Sequence, residues 1–153
     1  MTINSQPSLT IIVLTYNSEH IVKRCLDNLN FEKYKVVVVD NASKDGTVEL
    51  VRKNFPKAEI IQLEKNGGYG RGNNVALRQV KTEFALVLNP DAVIFEKDIE
   101  IVLDEMRANQ KVAIAGPIMF ERDPIKLTQE MIDSAKTKIE KDLQRLETCI
   151  TRK

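Results

Sequence analysis

The sequence is poor in the residues that carry nucleophilic or soft-metal chemistry, with one histidine, two cysteines and no tryptophan among 153 residues. No serine or cysteine is an obvious partner for His20, so a catalytic triad is disfavoured. Cys25 and Cys149 are far apart and lack a CxxC spacing, which predicts two free thiols in a reducing compartment. A metal ion bound by this chain is therefore expected to be a hard cation with oxygen ligands, Mg²⁺ or Mn²⁺.

An excess of one charge is also absent, since 23 Lys and Arg stand against 22 Asp and Glu, for a net charge of +1. This balance disfavours nucleic acid and anionic membrane surfaces as partners. No apolar run approaches the roughly 18 residues of a membrane helix. The N-terminal segment MTINSQPSLT lacks the basic and apolar regions of a signal peptide. We therefore expect a cytoplasmic protein, or one that is peripheral at the inner face of the membrane.

Short apolar runs alternate with stretches of helical periodicity. The run VVVV is typical of a strand that is buried on both faces of a parallel sheet. The alternation predicts the order β-α-β-α-β-α-β-α-β, an α/β fold with a mostly parallel sheet flanked by helices. The predicted strands are residues 9–14, 35–40, 59–63, 84–88 and, more weakly, 112–115. The predicted helices are one capped by Asn17 or Ser18 that includes Ile21 to Leu29, then 47–55, 73–80 and 98–109.

Polar, turn-forming residues follow the first four predicted strands. Because ligands bind beyond the carboxyl ends of strands in such sheets, we expect these clusters to gather at one edge. The clusters are Thr15-Tyr16-Asn17, Asp40-Asn41-Ala42-Ser43, Glu64 to Gly68, and Asn89-Pro90-Asp91.

The two aspartates of these clusters each allow two interpretations. Asp40 can accept hydrogen bonds from a ligand, or it can cap a helix or close a turn within DNASKDG. Asp91, in ALVLNPDAVI, can occupy a turn or hold a metal ion. A phosphoacceptor role for Asp40 is disfavoured, because residues 15–17 offer no acidic pair.

The cluster NGGYGRGNN contains a GxGxG pattern at Gly68, Gly70 and Gly72. A dinucleotide-binding fingerprint is disfavoured, because Asn73 stands where the final glycine belongs and the motif follows the third strand. The glycines otherwise indicate positive φ angles or close backbone approach.

Residues 123–153 differ in character from the rest. Asp123-Pro124 suits a helix start, and apolar residues then recur at spacings of three, four and seven. The narrow stripe suits helix pairing within the chain or in a homo-oligomer, and packing back onto the sheet is an equal alternative. We predict an α/β domain of residues 1–122 and a helical tail of residues 123–153.

Four motifs, in order and at normal spacing, resemble those of family-2 glycosyltransferases of the Rossmann-like GT-A fold. The similarity covers residues 9–120 and is closest to a rhamnosyltransferase-like branch, in which NPDA replaces the DxD motif. The motifs are IIVLTYNSEHIVKRCLDNL, VVVVDNASKDGTVELV, LEKNGGYGRGNNVAL and ALVLNPDAVI.

The resemblance implies a role for each rim residue. Thr15, Tyr16 and Asn17 would bind the donor, with the first two lining the base pocket, and Asp40 would read the pyrimidine ring. Asn89 and Asp91 would occupy the DxD position, with Asp91 holding Mg²⁺ or Mn²⁺ against the diphosphate. The residues that would border the nucleotide and its phosphates are Asn66, Gly67, Gly68 and Arg71.

The implied activity is inverting transfer of a sugar from a UDP-, dTDP- or GDP-sugar to a saccharide or lipid-linked acceptor, in cell-surface polysaccharide biosynthesis. The pattern fades after residues 116–120, before the acceptor-side segment that carries the general base. Glu121, Asp123 and Glu130 are acids, but no motif marks one as the base, so the catalytic residue is unassigned. The alternative is a non-catalytic module that binds a nucleotide-sugar or mediates assembly.

Overall fold

Four apolar runs form parallel strands that pair in a single sheet. The structure, a computed structural model, describes residues 7–116. The strand order β3-β2-β1-β4, all parallel, confirms the predicted open α/β sheet. In chain order the elements are β1 (Leu9–Thr15), α1 (Val22–Leu26), β2 (Lys35–Asp40), α2 (Thr47–Asn54), β3 (Glu59–Gln62), α3 (Tyr69–Leu77), β4 (Phe84–Leu88) and α4 (Glu96–Ala108).

Helices cover both faces of the sheet because the two central strands are apolar on both sides. All of β1 and all of β2 after its first residue are buried. One face packs against α1, α2 and α4 through Leu26, Val51 and Leu103. The other face packs against α3 through Ala76. Each fully buried side chain of the size of valine or leucine contributes roughly 1.5–3 kcal/mol, so these two layers hold the strands that end in polar residues.

Helix α1 is shorter than its periodicity predicts, with five residues, and its predicted caps are wrong. Its N-cap is Ile21, and no side chain caps it. Asn17 instead accepts a hydrogen bond from the Lys44 N–H at Oδ1 (2.8 Å), and the Ser18 hydroxyl accepts one from the Tyr16 N–H (3.1 Å). The two side chains are therefore engaged in loop contacts and are not available to the helix.

Helix α3 begins at Tyr69 and not at Asn73 as predicted. Gly70 and Gly72 are therefore helical, although glycine has a low intrinsic helix propensity. Tertiary packing overrides that propensity: a Cβ atom on Gly72 would lie 2.5 Å from Leu14 Cδ1, so only a glycine lets α3 approach β1 this closely.

The fifth predicted strand, residues 112–115, is wrong, because these residues have no regular secondary structure. Ile114 is 91% exposed, so the short run buries no face that would stabilise a strand. The predicted domain boundary at residue 122, the helical tail of residues 123–153 and Cys149 lie outside the described residues. No helix within residues 7–116 is long and apolar enough to cross a membrane.

Candidate functional site

The carboxyl ends of the four strands, with the loops that follow them, lie along one edge of the sheet, which we call the rim. The strand register places Thr15 beside Asp40, and Asp40 beside Gln62. The strand order reverses between β1 and β4, and a reversal of this kind opens a ligand crevice in α/β sheets. The structure thus brings the four predicted polar clusters to the same edge.

Asp40 is a buried carboxylate, 2% exposed, that accepts three hydrogen bonds. Its Oδ1 accepts from the hydroxyls of Thr15 (3.1 Å) and Ser43 (2.5 Å), and its Oδ2 accepts from the Ser43 N–H (3.0 Å). The bonds from Ser43 close the loop as the turn interpretation predicts, whereas Asp40 does not cap α2, whose N-cap is Gly46. A carboxylate oxygen can accept two bonds, and the described residues supply one to Oδ2, so this oxygen has capacity for one more donor.

Within residues 7–116, no basic side chain forms an ion pair with Asp40. Burying a carboxylate without a cation is costly, because hydroxyl and amide dipoles replace its hydration only in part. Asp40 thus lies where α/β sheets bind their ligands, beyond the carboxyl ends of the strands.

The loop after β1 is fastened to the loop after β2 by several hydrogen bonds. Asn17 has a φ of 49° and Ala42 a φ of 66°, so both loops contain a residue in the left-handed region. Tyr16, the first residue after β1, is 48% exposed, so its ring is available to stack on a planar ligand. The bonds run from Asn17 N to Ser43 Oγ, Ser18 N to Thr47 Oγ1, Glu19 N to Asp45 Oδ2, Lys44 N to Asn17 Oδ1 and Gly46 N to Glu19 Oε2.

Asn41 joins the end of β2 to the glycine-rich loop, a role that sequence reasoning missed. Its side chain, in a residue only 3% exposed, donates from Nδ2 to Asn66 Oδ1 (2.8 Å) and accepts at Oδ1 from the Gly67 N–H (3.0 Å). Its own N–H donates to the Thr15 carbonyl at 2.8 Å. The only feature of the sequence that could have indicated this role is the position of Asn41 directly after Asp40, at the end of a strand.

The glycine-rich loop turns sharply into α3. Gly68, the N-cap of α3, has a φ of 80°, which explains one of the three glycines of the GxGxG pattern, while Gly70 and Gly72 are part of the helix. Arg71 is exposed, and its Cδ lies 2.7 Å from where a Cβ on Gly67 would be. The aliphatic part of Arg71, a residue in the first turn of α3, therefore covers the loop.

Asn89, Pro90, Asp91 and Ala92 form a turn directly after β4. The Asn89 carbonyl accepts from the Ala92 N–H at 3.1 Å, as the turn interpretation of this segment predicts. Asp91 is exposed at the third position of the turn, and its carboxylate accepts no hydrogen bond from the described residues. The turn therefore displays a carboxylate that a cation can reach, so the two interpretations of Asp91 are compatible.

Cys25 of α1 lies behind this turn and is a free thiol, as predicted. Its Sγ donates to the Asn89 carbonyl at 3.5 Å. Burial, together with the negative charge of Asp91, raises the pKa of the Cys25 thiol from 9.0 to about 12. The side chain therefore stays protonated near neutral pH and acts as a packing contact beneath the turn.

The rim residues fit a hard cation only if the ligand supplies further oxygens. Residues 7–116 contain no cluster of three or more His, Cys, Asp or Glu side chains that would hold a metal ion alone. Asp91 offers one carboxylate and Asn89 one amide oxygen, and His20 is exposed on the turn before α1. Mg²⁺ commonly takes one or two carboxylates plus substrate phosphates, so the donor set suits a cation that arrives with a diphosphate.

A cavity of about 280 Å³ lies at the opposite edge of the sheet, beside the amino ends of β2 and β3. Its lining includes Phe31, Lys35 and Lys57, and the two lysines form ion pairs with Glu59 and Glu32. Because the two lysines are already paired with glutamates and all four side chains are substantially exposed, this cavity would attract an anionic ligand only weakly.

Comparison with known proteins gives consistent matches. The sequence profile of Glycosyl transferase family 2 matches residues 10–151. Poly(ribitol-phosphate) beta-N-acetylglucosaminyltransferase TarS from Staphylococcus aureus (strain Mu50) is 40% identical over 107 residues, which cover 63% of this chain and 19% of that protein. The chain thus spans about a fifth of the length of this relative.

Two solved structures resemble the fold. The crystal structure of S. aureus TarS 1–349 in complex with UDP-GlcNAc has a TM-score of 0.61 and 32% identity, covering 67% of this chain and 32% of that one. The mannosyltransferase PcManGT from Pyrobaculum calidifontis, in complex with GDP-Man and Mn²⁺, has a TM-score of 0.60 and 29% identity, covering 71% and 34%.

Proposed function

The chain belongs to glycosyl transferase family 2 and has the GT-A fold, and we propose that it forms the donor-binding part of an inverting glycosyltransferase. The proposed reaction transfers a sugar from a nucleotide-diphosphate sugar to a saccharide or lipid-linked acceptor in cell-surface polysaccharide synthesis. The rim is the observation that carries the proposal. It combines a buried acceptor, Asp40, with the glycine loop at the N-terminus of α3 and the exposed carboxylate of Asp91.

We propose a UDP-sugar as the donor, with UDP-GlcNAc as the first candidate. The support is the likeness to TarS, whose crystal structure contains UDP-GlcNAc. Uracil presents an N–H donor at its ring edge, which would use the remaining acceptor capacity of Asp40 Oδ2. The exposed ring of Tyr16 would stack on the base, and Thr15 would keep the Asp40 carboxylate in place from below. A dTDP- or GDP-sugar is the competing donor, and the rhamnosyltransferase-like branch stays a prediction.

The diphosphate would lie over the glycine loop. The Gly67 and Gly68 N–H groups donate to Asn41 and Asn66, so the loop contributes its shape and the positive end of α3 rather than unpaired amides. The guanidinium of Arg71 would supply the fixed positive charge.

Asp91 would hold Mg²⁺ or Mn²⁺ against the diphosphate, with Asn89 beside it. When bound, such a cation is a Lewis acid that stabilises the negative charge of the departing diphosphate. This chain would position the Asp91 carboxylate. Pro90 fixes its own φ, and the hydrogen bond between Asn89 and Ala92 closes the turn around Asp91.

No catalytic base is assigned, because Glu121, Asp123 and Glu130 lie outside the described residues. The alternative function, a nucleotide-sugar-binding or assembly module without turnover, shares the rim and differs only in the transfer step. A homo-oligomer formed through residues 123–153, and a location in the cytoplasm or at the inner face of the membrane, are further proposals.

Calorimetry with UDP, with and without Mn²⁺, tests the donor site. We expect UDP to bind more tightly with Mn²⁺, and Asp91→Ala to abolish that gain while metal-free binding stays. Asp104→Ala is the matched control, because Asp104 is a 74% exposed carboxylate on α4, away from the rim. Absence of UDP binding at millimolar concentration, with GDP and dTDP also inactive, would refute the donor site. UDP binding without UDP release from UDP-GlcNAc in the presence of poly(ribitol-phosphate) or simple saccharides would favour the alternative function.

A further inference from the structure

We propose that Asn41 is a positioning residue that locks the glycine loop of residues 66–68 to the end of β2, so that the base-binding and diphosphate-binding sides of the rim act as one rigid unit. This inference rests on the proposed function for its ligand. Its structural part, the locking of the loop, concerns the ligand-free protein.

The hydrogen bonds around Asn41 fix which of its atoms face the loop. A backbone N–H can only donate, so the side-chain atom that faces the Gly67 N–H at 3.0 Å must be Asn41 Oδ1. In the same way, the Gly68 N–H at 2.8 Å must face Asn66 Oδ1. The contact between the two side chains, at 2.8 Å, is therefore Asn41 Nδ2 donating to Asn66 Oδ1. No other assignment of the two amides satisfies both backbone donors.

This arrangement requires a side chain with both a donor and an acceptor at position 41. Aspartate would keep the acceptor for the Gly67 N–H but would place a second carbonyl-type oxygen against Asn66 Oδ1. Among the residues that the structure describes, the Asn66 side chain only accepts, from Asn41 Nδ2 and the Gly68 N–H, so aspartate suits position 66. The two asparagines thus differ in which replacement they tolerate.

Besides the asparagine amides, the loop is held by the start of α3, where the Gly68 carbonyl accepts from the Gly72 N–H at 3.0 Å, and by the Arg71 side chain over Gly67. Asn66 and Gly68 are exposed, and Gly68 adopts a φ of 80° with no atom within 4 Å of where its Cβ would be. Asn41, in contrast, is 3% exposed and is anchored through its own N–H to the Thr15 carbonyl. The rigid partner in this contact is therefore Asn41, and the positioned partner is the loop.

The position of Asn41 in the chain couples the two sides of the rim. It directly follows Asp40, the proposed acceptor for the base, and its side chain reaches the loop proposed to lie under the diphosphate, 25 residues further along the chain. A ligand that contacts both sides gains from this link, whereas a ligand that contacts only the base side does not.

Water exchange of the Gly67 and Gly68 amides, measured by NMR on the full chain without ligand, tests the lock directly. Asn41→Ala should speed exchange at Gly67 by about tenfold or more, as expected for the loss of its protecting hydrogen bond. Asn41→Asp keeps that acceptor and should speed exchange at Gly68, because its second oxygen repels Asn66 Oδ1. Asn66→Asp should leave the exchange rates of both amides nearly unchanged, and Asn66→Ala should speed exchange at Gly68. Asn54→Ala is the control, since Asn54 is exposed and its Nδ2 bonds the Leu50 carbonyl on α2. Unchanged exchange at Gly67 in Asn41→Ala would overturn the proposal, whatever Asn66→Ala shows at Gly68.

Calorimetry with UDP and with uridine tests the coupling. Asn41→Ala should weaken UDP binding by about tenfold, roughly the cost of one lost buried hydrogen bond, while uridine binding changes by less than about twofold. Equal losses for the two ligands would indicate a general structural role and refute the positioning role. If the wild-type chain binds neither ligand, the proposed function fails, and the amide exchange still decides whether Asn41 holds the loop.

Discussion

The hydroxyl of Thr15 lies 3.1 Å from Asp40 Oδ1, so the last residues of β1 and β2 form a hydrogen-bonded pair beneath the rim. The two residues are also register partners in the sheet, and both are buried. The carboxylate is therefore held in its orientation before any ligand arrives. Such preorganisation lowers the entropy that binding would otherwise cost.

Thr15→Val replaces this hydroxyl with a methyl group of nearly the same size and tests the pair. We expect the free energy of unfolding to fall by about 1–3 kcal/mol, because Asp40 loses one of its hydrogen-bond donors in a buried site. UDP affinity should fall several-fold as the carboxylate loses its fixed orientation. Thr10→Val is the control, since Thr10 is buried in the same strand but bonds Thr82. Equal UDP affinities for the wild type and Thr15→Val would show that the hydroxyl does not orient Asp40.

The glycines of α3 should respond oppositely to alanine. Gly72→Ala places a Cβ 2.5 Å from Leu14 Cδ1 and should lower the free energy of unfolding by about 1–3 kcal/mol. Gly70→Ala meets nothing within 4 Å and should raise it by about 0.5–1 kcal/mol, the usual gain in a helix. Urea unfolding of the two variants measures both values. A destabilised Gly70→Ala, or a Gly72→Ala as stable as the wild type, would contradict the observed helix start and the close packing of α3 on β1.

The raised pKa of Cys25 predicts a loss of stability at high pH. The unfolded chain loses this proton near its ordinary pKa of 9.0, whereas the folded chain keeps it up to about 12. Between these values the folded state binds more protons, so the free energy of unfolding falls as pH rises, by up to about 1.4 kcal/mol per pH unit. Cys25→Ala removes this contribution.

Chemical denaturation at pH 8 and pH 10.5 should therefore show a smaller pH-dependent loss in Cys25→Ala than in the wild type. Cys149→Ser serves as the comparison for the other thiol. Parallel losses in the wild type and Cys25→Ala would mean that the thiol titrates alike in both states.

Much of the sheet was predictable from short-range pattern. The VVVV run of β2 and the apolar run of β1 are buried as their β-branched composition predicts. The gathering of Asp40 and Asp91 at one edge followed from a general rule on the carboxyl ends of parallel strands. These features depend on periodicity and chain order, which a single sequence displays.

The contacts that shape the rim were not predictable in the same way. Asn17 and Ser18 are residue types that often cap helices. Here the Asn17 side chain accepts from the Lys44 N–H in the neighbouring loop, and the Ser18 hydroxyl accepts from the Tyr16 N–H in its own loop. Asn41 reaches Asn66 across 25 residues, and no local pattern reports such a partner. Gly72 lies in a helix where a Cβ atom would contact Leu14 too closely. Here tertiary packing overrides the low helix propensity of glycine.

Paramagnetic broadening by Mn²⁺ in the presence of UDP tests whether the rim binds a nucleoside diphosphate together with a divalent cation. With both ligands present, we expect the NMR amide signals to broaden around Asn89 and Asp91 and across residues 66–71. Amides near Lys35 and Glu59, which line the cavity at the opposite edge, should keep their intensity. Broadening centred on Lys35 and Glu59, or no UDP-dependent broadening at the rim, would show that the rim is not the site of the nucleotide and the cation.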